Sequence, residues 1–212
     1  MSLVGAVETK EGWLWPKGDR HTWDAVWREV KSELPVLLSL VPHKRVVVQA
    51  GGNGGIWPHE LAAHFERVYT YEPDPINFRC LVHNCPFPNV IFTNGAVGDK
   101  TDFLKMRHIN GNPGAAQVEP GGIIPVHRID NLGLDACDLL QLDIEGFEHE
   151  ALRGAAQTIE MHRPVICLEM QTVDLAAQYG SSNAAIEGWL TERGYRLERR
   201  MHMDNVFVPL AR

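Results

Sequence analysis

The sequence predicts an α/β fold built on a mostly parallel, buried sheet, and three stretches carry that prediction. The first is Val46-Val47-Val48-Gln49-Ala50 followed by Gly51-Gly52-Asn53-Gly54-Gly55. An apolar, β-branched run of this kind fits a strand covered on both faces, and the glycines end it in a tight turn. The second is Arg67 to Pro75, a short strand that ends in Glu72, about 20 residues after the first glycine. The third is Asp138 to Glu150, where a strand ends in Asp143 and a helix begins near Gly146.

Composition sets the outer bounds. A chain of 212 residues with 44% hydrophobic content is long enough for one domain with a full core, so 1–212 reads as a single domain. The formal net charge of -7 argues against a nucleic-acid partner, whose phosphates call for a basic face. Arg193, Arg196, Arg199 and Arg200 read as a solvated edge. No apolar run is long enough to cross a bilayer, and charges occupy the N-terminus where a signal peptide would be apolar, so a cytoplasmic protein without a membrane partner is expected. Cys80, Cys85, Cys137 and Cys167 form no CxxC pair or zinc spacing and read as reduced thiols.

In chain order, residues 1–43 read as an N-terminal strap and helix. Trp13, Trp15 and Pro16 lie in a stretch without periodicity, and such aromatics either pack on the main domain or cover its ligand cleft. Trp23, Val26, Trp27, Val30, Leu34, Leu37 and Leu38 mark an amphipathic helix that Pro35 is expected to break or bend. Residues 44–208 form the core. After the first strand, Ile56 to Phe65 reads as a helix with Pro58 in its first turn. Gly51 to Gly55 then form the floor of a site for a nucleotide-like ligand, because glycine turns let a ligand approach bare backbone at a helix N-terminus. Glu72 is placed to bind the ligand's ribose hydroxyls. His59-Glu60-Leu61-Ala62-Ala63-His64 imitates HExxH with one residue too many, which puts the two histidines about 140° apart on a helix and rules out a shared zinc.

Asn77 to Cys85 reads as a helix stopped by Pro86-Phe87-Pro88, and Val90 to Thr93 as a third strand. The following turn reaches the same sheet edge, so Asn94, Ala96 and Val97 either flank an adenine ring or simply join two strands. Residues 105 to 125, rich in His, Asn, Gly and Pro, read as a long loop at the substrate entrance. Ile123 to Ile129 resumes as a strand. Asp143 and Glu145 end the fourth strand, Glu169 ends a fifth at Pro164 to Glu169, and the three acids converge at one edge. Glu148 and Glu150 suit a helix's positive end.

These motifs resemble those of the FkbM-type S-adenosylmethionine-dependent methyltransferases. The family's Asp-Val-Gly-Ala-Asn-x-Gly turn matches Gln49 to Gly55, its acid motif matches Tyr71-Glu72-Pro73-Asp74-Pro75 with Asn77 and Phe78, and its most specific block matches Leu142-Asp143-Ile144-Glu145-Gly146-Phe147-Glu148 with Leu152, Gly154, Ala155 and Pro164 to Glu169. The likeness extends to Gly194-Tyr195 and Asp204-Asn205-Val206-Phe207. It implies a three-layer, Rossmann-like class I methyltransferase fold with a seven-stranded sheet. It also implies S-adenosylmethionine bound by Gln49, Gly51, Gly52, Asn53, Gly55, Glu72, Asn94, Ala96, Val97 and Asp143, and methyl transfer to an acceptor hydroxyl of a small molecule, glycan or lipid. Asp143, Glu145 or His149 would accept the proton. Mg²⁺ on Asp143, Glu145 and Glu169 is an alternative that is not favoured. Gln49 departs from the family's usual Asp, keeping a carbonyl acceptor for the methionine ammonium but losing the charge. Two other classes compete. An accessory protein could retain the fold without catalysis, and a nicotinamide oxidoreductase would share the turn, although no Tyr-x-x-x-Lys pair is present.

Overall fold

The computed structural model describes residues 6–19, 22–109 and 112–211. The chain opens with a hairpin, β1 (Val7–Lys10) and β2 (Trp13–Pro16), then helix α1 (Thr22–Leu40). It continues through β3 (Val46–Ala50), α2 (Ile56–Ala62), β4 (Arg67–Tyr71), α3 (Pro75–Asn84), β5 (Val90–Thr93) and the short β6 (Ala96–Val97). A second hairpin follows, β7 (Phe103–Ile109) and β8 (Asn112–Pro120), then β9 (Ile124–His127), β10 (Leu139–Leu142), α4 (Glu148–Gly154), α5 (Ala156–His162) and β11 (Val165–Glu169). Helix α6 (Asn183–Glu192) and strands β12 (Tyr195–Arg200) and β13 (Asp204–Pro209) complete it.

The central sheet has seven strands in the order β12-β13-β11-β10-β3-β4-β5. β10, β3, β4, β5 and β11 pair in parallel, whereas β13 is antiparallel to both its neighbours. Alternation along the buried strands builds three layers. Val47, Val68, Leu139 and Val165 face Leu37, Leu61 and Leu81 of α1, α2 and α3. Val48, Leu140 and Ile166 face Leu152, Ile159 and Leu190 of α4, α5 and α6. The chain leaves β3 toward β4 on one side and returns to its other side as β10. The carboxyl ends of β3 and β10 therefore flank the point where strand order reverses, and a crevice opens there.

Two expectations are corrected. Pro35 does not break α1, which runs unbroken to Leu40. Pro35 is exposed while Leu34 and Leu37 are buried, so the hydrogen bond that proline removes lies on the solvent side of the helix, where its loss costs least. Nor is 105–125 a loop: β7 and β8 pair antiparallel, Met106 opposite Val118, and join β9 and β6 in a four-stranded sheet of order β6-β9-β7-β8. The N-terminal tryptophans pack rather than cover the cleft. Trp13 and Trp15 stack edge-on against Trp23, with ring centroids 5.8 and 4.9 Å apart, and Trp13 does the same with Trp27 at 5.4 Å. All four cysteines are free and buried. His59 sits between the Trp13 and Phe87 rings, and α2 ends before His64. Among the described residues no helix is long and apolar enough to cross a membrane.

Candidate functional site

The crevice is built from three strand ends. At the first, the backbone leaves β3 through Gly51 at φ 88°, and a Cβ here would fall 1.8 Å from the Asp143 carbonyl oxygen, so only glycine fits between β3 and β10. The Gly51 and Gly52 N–H groups both donate to the Tyr71 carbonyl, at 3.0 and 2.9 Å, and stitch this turn to the end of β4.

Glu72 stands at the second strand end. Its Oε2 accepts from the Asn53 N–H and its Oε1 from the Asp74 N–H, each at 2.7 Å. The carboxylate thus bridges the glycine turn and the start of α3, and the Asn77 side chain also hydrogen-bonds it. Burial pushes Glu72 up to about 7, against the pull of those two backbone bonds. Asp74 caps α3 by accepting from the Ile76 and Asn77 N–H groups at 2.7 and 3.0 Å.

At the third, β10 delivers Asp143 and then Glu145, held at φ 58°. Glu148 fixes that loop from the start of α4, its Oε1 accepting from the Ile144 and Gly146 N–H groups at 3.0 and 3.3 Å. Glu169 arrives from β11. Asp143, Glu145 and Glu169 each present a carboxylate oxygen within 4.8 Å of the others. Burial first, and mutual repulsion second, push Glu145 and Glu169 up to about 8 and Asp143 well above its usual range. The Asp143 and Glu169 carboxyls lie close enough to act on each other directly, which raises Asp143 further.

Together these ends surround a cavity open to solvent. Gly51, Asn53 and Glu72 line it, as do Ala96 and Val97, and Asp143 with Glu145. The other predicted residues stand off it. Gly52 and Gly55 shape the turn behind, Gly55 donating its N–H to the Gly52 carbonyl at 2.9 Å. Asn94 braces Glu72, donating from Nδ2 to its backbone carbonyl at 2.8 Å. Gln49 is wholly buried inside the sheet layer, and its Oε1 accepts from the Thr70 hydroxyl at 2.6 Å, so the carbonyl expected to meet an ammonium is already engaged. His149 lies outside the cavity. It hydrogen-bonds Ser181, stands edge-on to Trp189 of α6, and burial lowers its pKa. It neighbours the acids in sequence, yet one 100° helical step past Glu148 turns it toward α6.

Residues that sequence reasoning missed complete the wall. Tyr71 and Asn77 flank Glu72 in sequence and were within reach of the motif; Met106 and Val118 come from the unforeseen hairpin, and Phe147 follows the acid loop. Side chains tie the hairpin to the rest of the fold, Arg107 donating to Gln178 Oε1 at 3.0 Å among them. Tyr179 Oη donates to the Val118 carbonyl at 3.0 Å and accepts from its N–H at 3.3 Å, and His108 Nε2 lies 3.5 Å from Asp74 Oδ2. Among the described residues lining the cavity there are three carboxylates and no lysine or arginine. Such a wall suits a ligand with hydroxyl donors and positive charge. It offers nothing to a pyrophosphate.

Comparison with known proteins agrees with this geometry. A family model described as methyltransferase FkbM domain matches residues 60–197. No curated protein sequence matches the chain. The crystal structure of methyltransferase FkbM from Methylobacillus flagellatus KT superposes with a TM-score of 0.56 at 21% identity, over 78% of this chain and 43% of that one. The chain thus spans less than half the length of that relative. Precorrin 8w decarboxylase from Methanobacterium thermoautotrophicum matches at a TM-score of 0.53 and 13% identity, over 85% and 90% of the two chains. Magnesium protoporphyrin IX methyltransferase from Synechocystis PCC 6803, solved with bound SAH, matches at 0.51 and 14%, over 88% and 84%. Because the family model covers well over half of its length, the chain belongs to the FkbM methyltransferase domain family, and its fold is that of the S-adenosylmethionine-dependent methyltransferases it superposes on.

Proposed function

We propose that this protein transfers the methyl group of S-adenosylmethionine to a hydroxyl oxygen of a small molecule, sugar or lipid. The observation that carries the reading is the cavity wall with its three carboxylates and no cationic side chain. Glu72 takes the ribose hydroxyls, and Gly51 with Asn53 lies along the nucleoside. Ala96 and Val97 flank the adenine, with Asn94, Gly52 and Gly55 holding the backbone behind. Asp143 and Glu145 face the charged methionine end, while Gln49 supports the sheet beneath. A pyrophosphate would meet carboxylates without a counter-charge, which argues against a nicotinamide dinucleotide.

In the transfer, the acceptor oxygen forms a bond to the methyl carbon as the carbon–sulfur bond breaks, leaving S-adenosylhomocysteine and one proton. Glu145 accepts that proton. Its carboxyl, pushed up to about 8, is matched to neutral conditions in a way an ordinary glutamate is not. Most of the acceleration comes from alignment of the acceptor with the sulfonium, which supplies roughly 7–11 kcal/mol in well-oriented reactions. His149 has no part in this scheme.

Convergence of Asp143, Glu145 and Glu169 favours one second reading, in which the three hold Mg²⁺ and the ion lowers the acceptor's pKa. Isothermal titration with S-adenosylmethionine, S-adenosylhomocysteine and NAD, with Mg²⁺ and with EDTA, separates the possibilities. The expected result is binding of the first two alone, without need of Mg²⁺. Failure of all three to bind would bring forward an accessory protein that keeps the fold without catalysis. In Glu145→Gln, turnover should fall further than cofactor affinity; equal losses would make Glu145 a cofactor residue only.

A further inference from the structure

A second cluster of acids lies where α1 crosses the start of β13. Glu29 and Glu33 are one helical turn apart on α1, and Asp204 opens β13. The three offer carboxylate oxygens within 4.8 Å of one another. Like charges at this helical spacing repel, and a third acid from another element compounds the repulsion. Glu33 and Asp204 are only 4% and 5% exposed. One oxygen on each of the two glutamates is anchored from outside the cluster: Glu33 Oε1 accepts from the His202 N–H at 3.2 Å, and Glu29 Oε1 from the Trp57 indole N–H at 2.9 Å. Glu33 Oε2 and Asp204 Oδ2, by contrast, are buried with no donor reaching them from outside the cluster; their neighbours are each other's carboxyls and the Cys167 thiol beside Asp204. Anchored outer oxygens and orphaned inner ones describe a site that is short of a positive charge.

We propose that Glu29, Glu33 and Asp204 bind a hard divalent cation, of the class of Mg²⁺, Mn²⁺ and Ca²⁺, that staples the N-terminal helix to the C-terminal strand. The donor set is oxygen throughout, which is what such ions select. Cys167 borders Asp204, but burial raises its thiol well above the ordinary value, so it contributes no thiolate. Glu29 is only half-buried and gives an ion its way in. It shares no residue with the cavity's acid cluster, but the two adjoin, since Glu169 and Asp204 face each other in register across β11 and β13 and Asp143 adds to the rise of Asp204.

The test is Mn²⁺ binding to EDTA-stripped protein, followed by electron paramagnetic resonance, together with melting curves over Mn²⁺, Mg²⁺ and Ca²⁺ titrations. We expect a saturable rise in melting temperature. Glu33→Gln with Asp204→Asn should abolish that rise and weaken Mn²⁺ binding by at least about tenfold, whereas Glu145→Gln should retain both. If the double variant does not fold, Glu29→Gln at its more exposed position must show the same loss. The proposal is overturned if the stripped protein ignores all three cations, since Glu33 and Asp204 would then share a proton instead. It is equally overturned if the cation effect survives Glu33→Gln with Asp204→Asn, or Glu29→Gln, and disappears in Glu145→Gln.

Discussion

Glu72 shows how one side chain serves structure and binding together. Its two oxygens each accept a backbone N–H, from Asn53 and from Asp74, so the acid proposed to bind the ribose is also the strut between the glycine turn and α3. An amide in its place keeps the shape but must point an N–H₂ at one of those two donors. Glu72→Gln should therefore weaken S-adenosylmethionine binding by roughly 1.5–3 kcal/mol and lower the melting temperature as well. Titration calorimetry beside a melting curve checks both, and an unchanged affinity would remove Glu72 from the cofactor's contacts. The motif made Glu72 legible. Its bracing role was not, because both N–H partners are set by how the turns fold back.

At the scale of elements, the β7–β8 hairpin is the piece that sequence patterning misread. Leu104 and Met106 do alternate with Lys105 and Arg107, but β8 begins Asn112-Pro113-Gly114 and has no strand-like pattern of its own. Pairing with β7 on one edge and Tyr179 on the other supplies what propensity lacks. Removing the Tyr179 hydroxyl takes away both bonds to Val118 and exposes a strand edge. Tyr179→Phe should cost about 1–2 kcal/mol of stability and speed amide exchange across 103–109 and 112–120, measured by hydrogen–deuterium exchange. Exchange that rises evenly over the whole chain would show that this hydroxyl does not hold the hairpin.

The whole molecule gathers buried acids along one sheet edge, and its pH dependence follows. Burial raises Glu72 and Glu148 to about 7 from an ordinary 4.5. The native state then holds protons that the unfolded chain has released between pH 4.5 and 7, so stability falls as pH rises through that window. From about pH 6 to pH 8 each of these two groups should cost roughly 1 kcal/mol. Denaturant titrations of the ligand-free protein at the two pH values test this, and greater stability at the higher pH would contradict it. S-adenosylmethionine supplies positive charge to the same edge, so its affinity should move the opposite way and rise with pH.

The N-terminal strap acts at this scale too. Trp15 lies against the Gly54 backbone, where a Cβ would fall 2.1 Å from its ring, and Asn84 ties the Leu14 and Gly54 carbonyls together by donating to each at 2.7 Å. The strap therefore buttresses the glycine turn from behind.

By itself the sequence determined the buried parallel strands, the glycine turn, the acids at the strand ends and so the family. Each of these is a local pattern, a run of β-branched residues or a motif a few residues long, that reports its own environment. Tertiary structure alone decided that Gln49 is sealed beside Thr70, that His149 turns away from the cavity, that the hairpin closes over it, and that Glu29 and Glu33 meet Asp204. Those outcomes depend on which distant segments the folded sheet brings into contact, and no neighbouring residue in the chain encodes them.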